Sequence, residues 1–427
     1  MDTSDRKTIE IHIGGMTCDS CAEHVREALS HVDGVLRVHL RNWSSPDARV
    51  EARRDTDEHK LVAAIQRAGY SARVLSISTT NDESPVTDAP TDRIDYDIAV
   101  IGTGAAGMAA AIRAAELNRR VVVVESGVIG GTCVNTGCVP SKAIIRVAEF
   151  VHDIMHPRFE GVRVQVLDVD WATIVREKDR LVATLREEKY AKVLRAYSDN
   201  VTVISGHAHF TSDKKLLIDD KHELEASKYV VATGSRPRTL DLKGADSPHV
   251  LTSTSLMDLN RLPLSLLVIG GRATALELGQ VLSRLGVEVS IRQRSPRLLP
   301  EHEPEISERI RGVFEREGIR VVTNVQLRSL KASEDEAVVE AVVNDQPQRF
   351  SAERVLMAVG RSSNTDSLGL EAAGVEMDDQ RFIIVDSRMQ TTNPRIFAAG
   401  DVVSGLPKLV YVAASTGQIA TESALDS

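Results

Sequence analysis

The feature that most constrains the fold is the run Tyr96–Glu125, which reads YDIAVIGTGAAGMAAAIRAAELNRRVVVVE. An apolar strand leads into three glycines, a helix of small residues follows, and a second apolar strand ends in an acid. The glycines permit a tight turn, close approach to a pyrophosphate and close packing of helix on strand, while the acid can bind a ribose hydroxyl. A glycine-rich turn between two buried strands is the alternative. The residues predicted to bind the dinucleotide are Gly102, Gly104, Ala106, Gly107 and Glu125.

A second unit of the same kind begins with the apolar strand Leu266–Ile269. Gly270 follows the strand, but Arg272 stands where the second glycine of the pattern belongs, and Ala275 replaces the third. Alanine is tolerated at the third position. For Arg272 two interpretations stay open: its Cβ crowds the pyrophosphate, or its guanidinium clamps it.

The second strand of this unit is followed by arginines rather than by an acid, namely Arg292, Arg294 and Arg297. A guanidinium binds a phosphate through two parallel hydrogen bonds, so arginines here favour NADPH, which carries a 2′-phosphate, over NADH. We predict that Arg292 and Arg294 contact this phosphate. A solvated basic turn is the alternative.

Two of the four cysteines, Cys133 and Cys138, lie in the stretch Gly130–Lys142, which reads GGTCVNTGCVPSK. This stretch begins shortly after the strand that ends at Glu125. Two thiols this close to a nucleotide-binding strand indicate redox or soft-metal chemistry, because thiolates are soft ligands. A structural disulfide and an unreactive buried pair are the alternatives.

The spacing of apolar residues within residues 1–78 predicts a small separate domain. Apolar residues at helical spacing predict two helices, and alternating apolar residues predict strands at residues 9–13, 36–40, 50–52 and 72–77. The order βαββαβ indicates a ferredoxin-like sandwich. Cys18 and Cys21 lie in its first strand-to-helix loop, where two thiolates suit a soft cation such as Hg(II), Cu(I) or Zn(II). A thioredoxin-like redox pair is the alternative.

Residues 79–93 are rich in proline and acidic residues and contain no aromatic residue, which predicts a flexible linker. The net charge of −9 and a pI near 5.8 argue against nucleic acid as a partner. No apolar run approaches the roughly 18 residues that span a bilayer, and the N-terminus lacks a secretory signal. Cysteines in two close pairs are typical of the reducing cytosol, so we predict a cytoplasmic protein.

The segment GMTCDSC of the first domain resembles the heavy-metal-associated domains of metal chaperones, metal-pumping ATPases and mercuric reductases. GGTCVNTGCVPSK resembles the active-site motif of the flavoprotein disulfide reductases, which include glutathione reductase, dihydrolipoyl dehydrogenase and mercuric reductase. This resemblance implies FAD as a cofactor, with Cys138 facing the flavin as a charge-transfer thiolate and Cys133 exchanging with substrate. LREEKYAKVL is similar to the mercuric reductase helix that brings a tyrosine, here Tyr190, to the metal. A tyrosine on the outer surface of a helix is the alternative.

The same resemblance assigns further residues and the domain bounds. Lys142 and Glu277 match a lysine–glutamate pair beside the flavin, and Asp401 matches the aspartate that binds its ribityl chain. The remaining residues expected to bind the cofactors are Gly131, Thr132, Lys142, Thr233, Gly234, Gly270 and Gly360. The expected domains are two α/β dinucleotide-binding folds, at residues 94–240 with 361–427 for FAD and at residues 241–360 for NADPH.

The resemblance also implies a further C-terminal domain of roughly 100 residues, which forms a homodimer and supplies either a His–Glu pair or a second cysteine pair. The sequence ends at Ser427, and we expect this domain to be absent. The first functional hypothesis is NADPH-dependent reduction of Hg(II), received as a thiol complex from Cys18 and Cys21 or from mercury-transport proteins. The second is reduction of lipoamide or another small disulfide. The third is metal binding by a catalytically incomplete protein.

Overall fold

The computed structural model describes residues 6–14, 19–40, 47–68, 70–79, 96–157, 159, 161–211, 215–333 and 335–426. These residues form two compact units. Cys18 and residues 80–93 of the predicted linker lie outside the described residues, and so does the side chain of Cys21.

The first unit is a four-stranded antiparallel sheet with two helices. Its elements are β1 Arg6–Gly14, α1 Asp19–Ser30, β2 Val35–His39, β3 Asp47–Arg53, α2 Glu58–Arg67 and β4 Ser71–Thr79. The strands lie in the order β2-β3-β1-β4. Alternate residues of β1, Ile9, Ile11 and Ile13, are buried in one core with apolar residues of both helices. The predicted ferredoxin-like sandwich is therefore confirmed.

The second unit contains a five-stranded parallel sheet, whose strands lie in the order β22 Ile396–Ala398, β11 Ala226–Val231, β5 Tyr96–Ile101, β6 Val121–Glu125 and β7 Val201–Ser205. Its first elements are β5 Tyr96–Ile101, α3 Ala105–Glu116, β6 Val121–Glu125, α4 Gly131–Asn135, α5 Cys138–Met155, α6 Trp171–Arg186, a π-helical turn Glu187–Ala191, α7 Lys192–Ala196, β7 Val201–Ser205, β8 Ala208–Phe210, β9 Leu216–Ile218, β10 His222–Leu224, β11 Ala226–Val231 and β12 Ser235–Pro237. The four valines of β6 are buried, as expected for a strand covered on both faces.

A second parallel sheet has its strands in the order β13 Val250–Leu251, β20 Arg354–Met357, β14 Ser265–Ile269, β15 Glu288–Arg292 and β16 Arg320–Val322. The elements that follow β12 are β13 Val250–Leu251, α8 Ser253–Leu256, β14 Ser265–Ile269, α9 Ala273–Arg284, β15 Glu288–Arg292, α10 Pro304–Arg316, β16 Arg320–Val322, β17 Val325–Ala332, β18 Ala337–Val343, β19 Gln346–Ala352, β20 Arg354–Met357, β21 Arg361–Ser363, β22 Ile396–Ala398, a 3-10 turn Gly400–Val402 and α11 Val410–Leu425. Both predicted dinucleotide-binding folds are thus present.

The chain passes between the two parallel sheets twice, through β12 and β21. These two short strands pair antiparallel, with Ser235 opposite Ser363 and Pro237 opposite Arg361. The strand pair therefore brings together residues that are more than 100 positions apart in the sequence. Among the described residues, no helix is long and apolar enough to cross a membrane.

Candidate active site

The loop between β5 and α3 carries the glycines that are predicted to receive a dinucleotide. Gly107 lies where α3 meets β5, and a Cβ there would approach the carbonyl oxygen of Gly102 to 1.9 Å. Only glycine therefore allows this close packing. Gly104 caps α3, and no described side chain caps the first turn that contains Ala106. The unpaired N–H groups of that turn suit an anion.

Glu125, at the carboxyl end of β6, holds the neighbouring loops. Its Oε2 accepts hydrogen bonds from the Thr103 hydroxyl and from the Thr103 N–H at 2.9 Å, and its Oε1 accepts one from the Gly127 N–H at 2.8 Å. The Thr103 oxygen accepts a hydrogen bond from the Gly130 N–H at 3.0 Å. Because a carboxylate has about four acceptor sites, Glu125 can also accept a bond from a ribose hydroxyl.

The two thiols differ in their surroundings. Cys133 lies in α4 and is half-buried, whereas Cys138 is the exposed first residue of α5. Burial raises the pKa of Cys133 to about 12, and the hydrogen bond with Cys138 and the charge of that sulfur act in the same direction. Cys133 therefore keeps its proton at neutral pH. Cys138 stands at the N-terminus of α5, so the pair consists of a half-buried sulfur in contact with an exposed sulfur at a helix start.

Tyr190 lies in the π-helical turn between α6 and α7. A Cβ added at Gly130 would lie 3.5 Å from Cγ of Tyr190, so the ring borders the loop that leads to Cys133. Burial raises the pKa of this phenol, and the charges of Cys133 and Cys138 raise it further. The phenol is therefore half-buried, protonated and close to the thiols, which differs from the alternative of an outer-surface tyrosine. Single-turn π-helices are frequent at functional sites.

Lys142 and Glu277 form an ion pair with Nζ 2.7 Å from Oε2, so the contact predicted between them is present. The pair links α5, which begins at Cys138, to α9 of the second dinucleotide-binding fold. Both side chains are about half exposed, at 54% and 45%. Water therefore screens their attraction, and the pair adds little to stability. The pair instead fixes the position of α5 relative to α9.

A cluster around Asp401 includes an arginine that had no predicted role. The Ser235 hydroxyl donates to Asp401 Oδ2 at 2.8 Å, and Arg361 donates from Nε to the Ser235 hydroxyl at 2.7 Å. Arg361 Nη2 also donates to Thr132 Oγ1 at 3.5 Å, next to Cys133. Burial lowers the pKa of Arg361, while the charges of Asp401 and Cys138 oppose that shift. A cation thus lies between the predicted flavin aspartate and the dithiol.

The two chain passages also hold the remaining predicted flavin residues. Thr233, between β11 and β12, donates its hydroxyl to the Asn364 carbonyl at 2.9 Å, and Asn364 Nδ2 returns a bond to the Thr233 carbonyl at 2.8 Å. Gly234 follows Thr233, and Gly360 directly precedes β21. The predicted residues Thr233, Gly234, Gly360 and Asp401 are therefore gathered at the paired strands.

Arg292 does not lie where a phosphate could reach it readily. It is only 4% exposed, its guanidinium stacks on the Phe350 ring at 3.9 Å, and its Nη1 donates to the Ile291 carbonyl. Burial lowers its pKa to about 10, and the charge of Arg320 adds to that effect. The predicted phosphate contact by Arg292 therefore disagrees with its position inside the domain, because its side chain faces β19.

The other arginines of this fold are more accessible. Arg294 is exposed, whereas Arg297 donates to the carbonyls of Pro300 and His302. Arg272 caps α9 through its backbone, and its guanidinium pairs with Glu301 at 3.5 Å. Gly270 directly follows β14, as predicted, and its N–H donates to the Arg292 carbonyl at 2.9 Å. Arg294 remains the better candidate for a phosphate contact.

The first unit has one cysteine of the predicted metal pair in α1, at Cys21. Cys18 lies outside the described residues, so the geometry of this pair is a prediction. Within the part of the chain that the structure describes, no three His, Cys, Asp or Glu side chains are grouped as a metal site.

Comparisons with known proteins agree with this arrangement. Residues 96–417 match the family described as pyridine nucleotide-disulphide oxidoreductase, and residues 10–71 match the heavy-metal-associated domain. Mercuric reductase of Lysinibacillus sphaericus is 36% identical over 417 residues, which cover 97% of this chain and 74% of that protein. Mercuric reductase of Streptomyces lividans is 41% identical over 336 residues, which cover 78% of this chain and 70% of that protein. The chain belongs to the mercuric reductase family.

Among solved structures, the Cu(II) complex of the HOCl-induced flavoprotein disulfide reductase RclA from Escherichia coli is similar, with a TM-score of 0.68 and 26% identity. The match covers 77% of this chain and 70% of that one. Membership of the mercuric reductase family confirms the predicted enzyme class, with use of a flavin and a pyridine nucleotide and with Hg(II) reduction as the activity.

Two residues of this site were missed by sequence reasoning. Arg361 directly follows the predicted Gly360. It is a charged residue at the point where the chain returns to the first sheet, and this position could have indicated a role in the site. Asn135 lies inside the dithiol motif, between the two cysteines. An amide in a glycine-rich turn is typical of side chains that bind the backbone. Both residues contact the dithiol loop.

Proposed function

We propose that the chain reduces Hg(II) to Hg(0) with two electrons from NADPH, passed through FAD to the Cys133–Cys138 pair. The observation that carries the proposal is the arrangement of this pair. A half-buried Cys133 lies in contact with an exposed Cys138 beside a dinucleotide-binding sheet. Two adjacent sulfurs can bind a soft cation linearly and can also take part in electron transfer.

The residues around the first parallel sheet fit FAD. The first turn of α3 and the exposed Thr132 suit its diphosphate, Glu125 suits a ribose, and Asp401 suits the ribityl chain. A Cβ at Gly131 would lie 2.5 Å from the Gly104 Cα, so these two glycines let the dithiol loop approach the phosphate turn. When bound, FAD would supply the two-electron chemistry. Arg361 adds positive charge beside the diphosphate-binding residues.

The proposed capture of Hg(II) exchanges two carrier thiolates for the two cysteine sulfurs. Hg(II) arrives bound to two thiolates of a small carrier, and the Cys138 thiolate replaces one of them. Cys133 replaces the other and gives its proton to a released carrier thiolate. The product is a two-sulfur complex of Hg(II), one carrier thiol and one carrier thiolate. Two electrons then convert the bound Hg(II) to Hg(0), which has no affinity for thiolates and departs. Tyr190, held protonated, can donate a hydrogen bond to a sulfur during these exchanges.

We further propose that Lys142 and Glu277 hold the second dinucleotide-binding fold against α5, so that NADPH meets the flavin. The proposed division is residues 1–78 for the metal domain, 79–93 for the linker, 94–240 with 361–427 for FAD, and 241–360 for NADPH. A cytoplasmic location fits the two cysteine pairs, which work as thiols. A homodimer and mercury-transport proteins as donors are also proposed, and crosslinking with such a donor would test the latter.

Replacing Arg294 by glutamate is expected to raise the KM for NADPH about 10- to 100-fold, the equivalent of roughly 1.5–3 kcal/mol for a lost hydrogen bond to a charged group. The KM for NADH, which lacks the 2′-phosphate, should change much less. Arg292→Met is the matched control: because Arg292 is buried on Phe350, its loss should leave the NADPH preference unchanged. A lost preference in Arg292→Met with a normal Arg294→Glu would reverse this assignment.

The linked metal domain is expected to matter most when small thiols are scarce. Changing Cys18 and Cys21 together to alanine should slow Hg(II) turnover at thiol concentrations near that of Hg(II), because the tethered pair no longer raises the local concentration of bound metal. In excess thiol the rates should match those of the parent chain. Equal rates at low thiol would exclude a relay through this domain.

The substrate class is tested with the FAD-loaded full chain and three acceptors. NADPH oxidation is followed at saturating cofactor with Hg(II) in excess thiol, with oxidised glutathione and with lipoamide. NADPH oxidation with Hg(II) but with neither disulfide supports the proposal. Oxidation mainly with a disulfide favours the disulfide reductase hypothesis. Binding of Hg(II) without NADPH oxidation favours a catalytically incomplete metal-binding protein.

A further inference from the structure

The side chain of Asn135, at the end of α4, contacts two other parts of the active site: the turn that leads into α4 and the end of α6. Its Nδ2 donates to the carbonyls of Ile129 and Gly131, at 3.0 Å each, and lies 3.5 Å from the carbonyl of Val128. Its Oδ1 accepts a hydrogen bond from Arg186 Nη1 at 3.4 Å. An amide carries two N–H groups, so the two 3.0 Å contacts satisfy both of its donors.

The backbone that Asn135 binds is unusual. Gly130 and Gly131 both have left-handed conformations, with φ of 109° and 64°. This turn connects the loop after β6 to α4, which carries Cys133. From the other side, the Gly130 N–H donates to Thr103, which is bound to Glu125. The turn is therefore fastened at one end by the nucleotide-binding acid and at the other by Asn135.

The acceptor side of Asn135 reaches a different element. Arg186 is the last residue of α6, and the π-helical turn that carries Tyr190 begins at the next residue. One side chain thus contacts the turn before Cys133 and the helix before Tyr190. Asn135 itself is half-buried and lies between the two cysteines in sequence.

We propose that Asn135 is a positioning residue that holds the turn before Cys133 and the helix before Tyr190 in fixed relation, and thereby keeps the two sulfurs within bonding distance. This inference rests on the proposed redox role of the pair. Without the amide, the left-handed turn loses both bonds to α4, and Cys133 samples more positions relative to Cys138. The effective concentration of one sulfur at the other then falls, and with it the tendency to form a disulfide.

The test is a thiol–disulfide equilibrium that needs no mercury, so its result is independent of whether the chain reduces Hg(II). The FAD-loaded full chain is equilibrated with mixtures of reduced and oxidised glutathione without NADPH. Cys133 and Cys138 each lose a proton and together two electrons, and one oxidised glutathione becomes two reduced molecules. After acid quench and alkylation, the peptide that spans both cysteines is analysed by mass, apart from the Cys18–Cys21 peptide.

Asn135→Asp keeps the size and the acceptor but removes both donors and sets a carboxylate against two carbonyls. We expect its disulfide equilibrium constant to fall about tenfold, which is about 30 mV towards a more oxidising potential. Flavin content should be retained. Asn393→Asp is the matched control: its amide donates to the Ala373 carbonyl at 2.7 Å and its Oδ1 accepts the Arg395 N–H, away from the dithiol. Its dithiol equilibrium should equal that of the parent chain.

If Asn135→Asp fails to bind FAD, the dithiol equilibrium is measured in Asn135→Ala instead. Alanine removes the two donors without adding charge, and water can reach the half-buried site to bind the carbonyls that are left. A dithiol equilibrium within twofold of the parent chain in the variant that retains FAD would overturn the proposal. An equal shift in Asn393→Asp would also overturn it, since the effect would then follow general loss of stability.

Discussion

Replacing Cys138 by serine is expected to lower Hg(II)-dependent NADPH oxidation about 10³-fold or more, the scale on which loss of a reacting group lowers kcat. An alcohol at the start of α5 stays protonated at neutral pH and is a hard ligand, so it neither displaces a carrier thiolate nor holds Hg(II) in a two-sulfur complex. The measurement is the steady-state rate of absorbance loss at 340 nm with Hg(II) and excess thiol.

The same variant should still bind FAD and accept electrons from NADPH in an anaerobic single turnover, because Glu125, Asp401 and the Lys142–Glu277 pair are untouched. Cys133→Ser serves as the partner variant and should be similarly inactive. It differs in one respect: with Cys133 removed, the lone Cys138 should be alkylated readily, because it is exposed. Substantial Hg(II) turnover in either variant would show that the metal is reduced at another site.

Replacing Gly107 by alanine is expected to prevent folding of the first dinucleotide-binding unit. The added Cβ would lie 1.9 Å from the Gly102 carbonyl oxygen, which is backbone and cannot rotate away. Relief requires α3 to move off β5; overpacking typically costs about 1–3 kcal/mol, and a clash with backbone lies at or above the upper end of that range. The thermal midpoint and the FAD content per chain should both collapse.

Gly104→Ala is the informative comparison. Its Cβ would meet only the Gly131 Cα at 3.9 Å, an ordinary contact, so the thermal midpoint of the apoprotein should remain near that of the parent chain. FAD affinity should nevertheless fall, because the methyl group stands at the turn where the diphosphate is proposed to bind. Undiminished FAD affinity in Gly104→Ala would remove this turn from the cofactor site, whereas a collapsed midpoint would contradict the described packing.

Sequence reasoning predicted those parts of the fold that are determined by residues close together in the chain. The alternation of Ile9, Ile11 and Ile13 gives one buried face, and after β5 a Cβ at Gly102 or Gly107 would collide with backbone atoms. The contact of Lys142 with Glu277 came from a family resemblance rather than from local rules. In each case the signal lies in residues that are close in sequence or in a matched motif.

The errors and omissions have non-local causes. Arg292 is buried because Phe350, from a strand almost 60 residues later, provides an aromatic surface for its guanidinium. Arg361 reaches Ser235 and Asp401 only because β12 and β21 pair across more than 100 residues. The π-helical turn at Tyr190 adds one residue to a helical turn, and helical periodicity alone gives no signal for it. The contacts of Arg292 and Arg361 join residues far apart in the sequence, so local sequence patterns give no signal for them.

The proposed reduction of Hg(II) is tested by the amount of Hg(0) released for each NADPH consumed. The FAD-loaded chain is given a limiting amount of NADPH with Hg(II) in excess thiol under anaerobic conditions, and volatile mercury is swept into a trap and quantified. We expect one Hg(0) for each NADPH, because each hydride carries the two electrons that Hg(II) needs, and no Hg(0) with Cys138→Ser. NADPH oxidation without volatile mercury, or equal release from Cys138→Ser, would contradict it.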